Sequence, residues 1–308
     1  MRISSAFAFE SSMANLQRRQ AQLTDTQAQL TSGKRVRLAS DDPAGAAAAE
    51  RALAAGARAD AHLRALAESR NAMTQTESAL GDAGDLAQRA RELLVSAGNG
   101  SYSDAERATL AETLRGIRTD MLAVANRNDG AGRYLFGGQG SDVKPLRDTP
   151  GGVVYDASKG QLSAAMGDVA PLSLDGEDVF LNAPDPANPG ATLSIFDTLD
   201  TAINELLTTG RSSADVAQTV SAGLSGIDAA QGNLGRWRAL AGESLNRADG
   251  MESRLTQSRV DAARDRSNAE DLDMLTAISD FQNQQTGYDA ALKTYSLVQR
   301  MTLFDYLK

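Results

Sequence analysis

Acid–base, metal and covalent chemistry usually rest on imidazole, thiolate or closely paired carboxylates. This chain is poor in all three. Of its 308 residues one is a histidine, His62, and none is a cysteine. The lack of cysteine excludes disulfides, thiolate metal sites and a cysteine nucleophile. His62 stands in an alanine-rich stretch and reads as an ordinary helix residue. Asp168, Asp175, Glu177, Asp178 and Asp185 do not follow the spacing of a calcium loop and read as turn and surface acids. Gly98-Asn99-Gly100 and the glycines from Gly130 to Gly140 lack both the GxGxxG spacing and a preceding parallel strand. Asn99-Gly100-Ser101 matches a glycosylation triplet, a short pattern that recurs by chance. Trp237 reads as a packing residue. The expectation is a protein with no catalytic residue, no metal and no cofactor, and therefore not an enzyme.

Composition points elsewhere. The formal net charge is -9, which argues against a general nucleic-acid binder. Aromatic residues make up 5% of the chain, which suits long helices meeting along narrow seams better than a thick globular core. No run of about 18 apolar residues is present, so no membrane insertion is expected. Met1-Arg2-Ile3-Ser4-Ser5 carries no cleavable signal pattern.

The apolar residues that remain are placed for helix pairing. From Met274 they and their amide substitutes fall at gaps of four and three: Ile278, Phe281, Gln285, Tyr288, Leu292, Tyr295, Gln299 and Thr302. That is a heptad seam. It runs into Leu303, Phe304, Tyr306 and Leu307. Near the start, Phe9, Leu16, Leu23 and Leu30 are spaced by seven, with Met13, Gln20 and Gln27 between them. Arg2 to Arg37 holds six basic and two acidic residues, and Glu270 to Lys308 six acidic and three basic. Matching periods and opposite charge predict antiparallel pairing of the two ends.

Between these arms, Ser40-Asp41-Asp42-Pro43 predicts the start of a long helix reaching about Ala97, with Leu66, Met73, Leu80, Ala87 and Leu94 in one row. Ser103-Asp104 opens a second helix that stops at the turn Asn128-Asp129-Gly130. Helices resume with Ile195 to Leu207. Another long one follows from Ser213 or Asp215, with Val220, Ile227, Leu234, Ala241, Ala248, Leu255 and Ala262 in register. A polar link, Arg264 to Asp271, leads to the C-terminal arm. Prolines and glycines crowd the centre, and β-type runs at Arg133–Phe136, Gly152–Tyr155, Gly160–Met166 and Asp178–Leu181 suggest hairpins.

The fold class expected is therefore mainly α: a long antiparallel helical bundle or coiled coil built from the N- and C-terminal segments, with a small β-rich domain inserted in the middle. Residues 1–40 with 268–308 would form a terminal coiled-coil domain, 41–135 with 191–267 a helical bundle, and 136–190 the β-rich insertion.

Two sequence blocks, Leu30-Thr31-Ser32-Gly33-Lys34-Arg35-Val36 and Ser40-Asp41-Asp42-Pro43-Ala44-Gly45-Ala46, resemble the N-terminal signature of the bacterial flagellin superfamily. Within it, three further features resemble the members that stand at the hook–filament junction. They are Met1-Arg2-Ile3-Ser4, the run from Ala125-Asn126 through Asp129-Gly130 to Gly132-Arg133-Tyr134-Leu135-Phe136-Gly137-Gly138, and the ending Leu303-Phe304-Asp305-Tyr306-Leu307. The likeness covers about residues 1–140 and 195–308. The resemblance implies a structural component of the flagellum, exported by the flagellar type III system without a cleaved signal and placed outside the cell. It implies a homo-oligomeric ring, joined to hook-associated protein 1 on one side and flagellin on the other, and an export chaperone that holds the C-terminal helix. The assembly interface expected is Phe9, Met13, Leu16, Leu23, Leu30, Ile278, Phe281, Tyr288, Leu292, Tyr295, Leu303, Phe304 and Tyr306. The alternatives are a minor flagellin filament subunit and a cytoplasmic coiled-coil scaffold.

Overall fold

The computed structural model describes residues 2–164 and 170–304. The described residues form seven helices and four short strands. The helices are α1 (Arg2–Ser32), α2 (Pro43–Ala97), α3 (Asp104–Ala125), α4 (Gly176–Phe180), α5 (Ile195–Leu207), α6 (Ser213–Glu270) and α7 (Met274–Phe304). The strands are β1 (Leu146–Thr149), β2 (Gly152–Tyr155), β3 (Ala183–Pro184) and β4 (Thr192–Leu193). A mainly α chain with paired terminal helices and a few short central strands is the fold class expected from the sequence.

The chain divides into two compact units. One comprises the residues up to Ala59 together with those from Gln257 onward, and the other runs from Asp60 to Thr256. In the second unit, α2 and α6 lie antiparallel, tied at successive levels by Arg70–Glu252 (2.9 Å), Glu77–Arg238 (2.7 Å) and Arg91–Asp228 (2.8 Å). Beneath these exposed ion pairs the predicted rows are buried. Leu66, Met73, Leu80, Ala87 and Leu94 on α2 and Val220, Ile227, Leu234, Ala241 and Ala248 on α6 all face inward. The exposed pairs contribute little each. Exclusion of the apolar rows from water, about 1.5–3 kcal/mol for each large side chain, is the stronger effect.

Helix α3 starts where the sequence places it. The Ser103 hydroxyl accepts from the Glu106 amide, and the Glu106 carboxylate accepts from the Ser103 amide at 2.7 Å, a capping box. Helix α5 packs along α3. Between α3 and α5, Arg118 is largely buried, with ion pairs to Asp148 on β1 (2.7 Å) and Asp200 on α5 (2.6 Å) and its guanidinium 5.9 Å from the Phe196 ring centre. The hydrogen bond from Arg118, followed by its charge, holds the Asp148 carboxyl below the ordinary carboxylate range despite partial burial.

The insertion is thinner in strand than the sequence suggests. Strands β1 and β2 form one antiparallel hairpin, with Leu146 opposite Tyr155 and Thr149 opposite Gly152, and β3 pairs with β4. Asp178 to Leu181, expected as a β run, is helical instead, falling in α4 and its C-cap. Asp175 caps this turn by accepting from the Glu177 amide, and Glu177 and Asp178 in its first turn suit the positive helix end. Arg133–Phe136 is not a strand; it contributes only the bridge between Asn128 and Tyr134. Of Gly160–Met166, Ser163 bridges Pro171, and residues 165 and 166 lie outside the described residues, as does Asp168. The polar link expected over Arg264 to Asp271 is likewise helical as far as Glu270, supported by the Arg266–Glu270 pair one turn apart at 2.8 Å.

What fixes the insertion is aromatic packing. Phe136 meets Phe180 edge-on with ring centres 5.0 Å apart, and Phe180 lies 6.4 Å from Phe196. All three are at most 1% exposed. Phe180→Ala should therefore remove about 3–5 kcal/mol of stability, the range for deleting a buried ring. Equilibrium denaturation would show this as a lower midpoint, whereas a surface change such as Val143→Ala should leave the midpoint nearly unmoved.

Candidate assembly interface

The terminal helices are brought together by a polar clasp in the first unit. Gly33 adopts φ +69° and ends α1, with its amide bonded to Gln29 O at 2.8 Å. The left-handed conformation suits glycine at this C-terminal position. The Gly33 carbonyl accepts from the Leu272 amide (3.0 Å), and the Glu270 carbonyl accepts from the Arg35 amide (2.8 Å). Lys34 adds a 3.0 Å ion pair to Glu270. The Arg35 guanidinium donates to the Ala269 carbonyl (2.8 Å) and to Asp42 (3.0 Å). Asp42 also caps α2 by accepting from the Gly45 amide at 2.9 Å, while Asp41 accepts from the Arg37 and Leu38 amides. The basic link between α1 and α2 is thus bonded to the α6–α7 corner and to the start of α2.

From this clasp α1 and α7 run antiparallel. Thr26 donates to the Gln284 side chain at 3.0 Å, Gly287 lies under Arg19, and Phe9 meets Tyr295 with ring centres 5.6 Å apart. Besides Gly287, the sheltered positions among the described residues of α7 are Ala277, Phe281, Gln284, Tyr288, Ala291 and Tyr295. Their gaps of four and three make a heptad seam that shares Phe281, Tyr288 and Tyr295 with the predicted one. Ala277, Gln284 and Ala291 take the places expected for Ile278, Gln285 and Leu292. On α1, Leu16 is buried, and Met13, Leu23 and Leu30 are half-buried, with Thr26 rather than Gln27 turned inward. The alanine and threonine repeat is visible in the sequence but ranks below the larger residues when hydrophobicity alone is weighed. Small side chains fit where two helices approach closely.

The aliphatic residues Ile278 and Leu292 face water. Ile278 is 45% and Leu292 41% exposed, and Met274, Leu275 and Leu297 are exposed on the same helix. Ile278, Gln285 and Leu292 are spaced by seven and lie on one face. On α1, Phe7 and Phe9 are exposed, although Phe9 touches Tyr295 along one edge. Leu303 and Phe304 belong to the last turn of α7, but their side chains, like all of Tyr306, lie outside the described residues. The arm pair thus uses one face of each helix and leaves apolar side chains on another. Among the described residues no group of three His, Asp or Glu side chains is placed to hold a metal ion, and His62 lies on α2. No helix is long and apolar enough to cross a membrane among those residues.

The clasp carries a pH signature. Hydrogen bonds from the Leu38 and Arg37 amides hold the Asp41 carboxyl below its ordinary value, and the Gly45 amide and then Arg35 do the same for Asp42. A depressed carboxyl stabilises the folded state fully above the unfolded value of about 3.9, and that stabilisation is lost as pH falls through the lower folded value. Carboxyl carbon NMR titration should show both groups titrating at lower pH than aspartates without such hydrogen bonds.

Comparison with known proteins matches this architecture. The sequence model of the bacterial flagellin N-terminal helical region matches residues 3–141. Flagellar hook-associated protein 3 of Escherichia coli strain K12 is 30% identical over 319 aligned residues, covering 100% of both chains. That of Salmonella typhimurium strain LT2 is 29% identical, covering 99% of both. A crystal structure of flagellar hook associated protein-3 from Legionella pneumophila shares the fold, with a TM-score of 0.63 at 19% identity over 70% of this chain and 97% of that one. The chain belongs to the flagellar hook-associated protein 3 family and is a structural component of the bacterial flagellum.

Proposed function

We propose that this chain is the adaptor between hook and filament, assembled as a ring of identical copies that contacts hook-associated protein 1 on one side and flagellin on the other. It acts through surfaces alone, without catalysis, and reaches its place outside the cell by flagellar type III export. An export chaperone would cover the C-terminal helix beforehand.

The observation that carries this reading is the apolar face of α7 left open by α1: Met274, Leu275, Ile278, Leu292 and Leu297. Each large side chain covered by a neighbouring subunit would contribute about 1.5–3 kcal/mol at full burial. Several such contacts suffice to hold one subunit against another, while a single pair of arms has no means of covering them itself. The terminal helices and the clasp would form the axial part of the ring subunit.

Deletion of the gene should leave hooks without filaments and release flagellin into the medium, and the intact chain should restore filaments. The double variant Ile278→Asp, Leu292→Asp should fold with unchanged helical content, because both positions are exposed, yet fail to restore them. Filaments that form without the gene would overturn the adaptor reading. So would long filaments grown from this protein alone, which would make it a flagellin. Full rescue by the double variant would remove the α7 face from the interface.

A further inference from the structure

The turn between α2 and α3 contains Asn99-Gly100, the one place in the chain where asparagine precedes glycine. We infer that Asn99 is a site of spontaneous self-modification, at which the backbone nitrogen of Gly100 attacks the Asn99 carboxamide and converts it through a cyclic imide.

Two features of the turn favour that reaction. The nucleophile is unencumbered: among the described residues, the Gly100 N–H makes no hydrogen bond. Gly100 is exposed, carries no side chain, and has no atom beyond its chain neighbours within 4 Å of where a Cβ would be. The electrophile is polarised. Asn99 Oδ1 accepts from the Ser101 amide at 3.1 Å and from the Ser101 hydroxyl at 2.9 Å, which draws electron density from Cγ and supports negative charge on the oxygen during attack. The surrounding turn is held by the Tyr102 amide donating to the Asn99 carbonyl at 3.1 Å.

The other asparagines lack this combination. Asn15, Asn71, Asn204, Asn233, Asn246, Asn268 and Asn283 lie inside helices, where the following amide belongs to the helical ladder. The amide after Asn126 bonds to the Val124 carbonyl, and the amide after Asn128 bonds to the Arg133 carbonyl. Asn188 precedes proline, which has no N–H, and the Asn182 side chain is held by Asp178 at 3.0 Å.

The chemistry balances without an added reagent other than water. Gly100 N bonds to Asn99 Cγ and gives up its proton to solvent base. The Cγ–Nδ2 bond breaks, and the nitrogen leaves as ammonia after taking a proton. Water then opens the imide at either carbonyl, giving an aspartyl or an isoaspartyl linkage. The aspartyl product keeps the side-chain oxygen that Ser101 contacts. The isoaspartyl product adds a methylene to the main chain of the turn.

The intact chain, kept folded in mildly alkaline buffer at growth temperature, provides the test. Peptide mass mapping should show the segment from Ala97 to Asp104 gaining the mass difference between OH and NH2 ahead of every other asparagine-containing peptide. Isoaspartyl methyltransferase should label the same peptide. Gly100→Ala should slow the change by about tenfold or more, because a Cβ restricts the backbone conformations that allow attack. The fold should survive this substitution, since Gly100 is not at positive φ. Ser101→Ala, which keeps the amide and removes the hydroxyl, should slow it by a smaller factor. An unmodified Asn99 peptide, a rate unchanged in Gly100→Ala, or another asparagine reacting first would each overturn the assignment.

Discussion

Two main-chain hydrogen bonds decide where the terminal helices meet: Leu272 to the Gly33 carbonyl and Arg35 to the Glu270 carbonyl. Backbone groups cannot slide relative to their own helices, so these bonds set the level at which α1 and α7 begin to run together. Everything along the pair then follows at the helical rise of about 1.5 Å per residue. Thr26 arrives at Gln284, Arg19 at Gly287 and Phe9 at Tyr295. The same corner carries Lys34, Arg35, Asp41 and Asp42, so its polar residues bind the link between α1 and α2 as well.

Much of this was readable from residue types. The seven-residue rows on α2 and α6, the helix start at Ser103-Asp104 and the start of α2 at Pro43 all depend on local physics, and the folded chain keeps them. The central segment was less readable because its order comes from distant contacts. Asp178 to Leu181 has β-type residues, but the cap from Asp175 and burial of Phe180 against Phe136 and Phe196 make a helical turn there. Tertiary packing outweighs propensity over so short a stretch. The motif Leu135-Phe136-Gly137-Gly138 has a physical basis too. Leu135 and Phe136 are buried, and a Cβ on Gly138, at φ +57°, would come within 2.1 Å of the Ser158 carbonyl oxygen.

The seam on α7 was half readable. Aromatic residues at 281, 288 and 295 announced the period, and they do lie toward α1. The intervening positions were assigned to the bulkiest candidates, Ile278 and Leu292, whereas the helix turns Ala277 and Ala291 inward. Hydrophobicity says that a residue prefers to leave water; it does not say which neighbour will cover it. On α7 the inward face alternates aromatic residues with Ala277, Gln284 and Ala291, and the aliphatic Ile278 and Leu292 are left on the outer face.

The bond between Thr26 and Gln284 is a polar contact within this seam, and it is worth more for what it forbids than for what it stabilises. If the helices slipped by a heptad, the half-buried Gln284 amide would leave the Thr26 hydroxyl and come opposite Arg19 or Gly33 instead. The loss is small next to the apolar contacts, and it adds to the main-chain bonds of the clasp in telling the settings apart. It serves as a watermark in an otherwise repetitive pattern, by which a correctly threaded pair of arms is distinguished from its near copies.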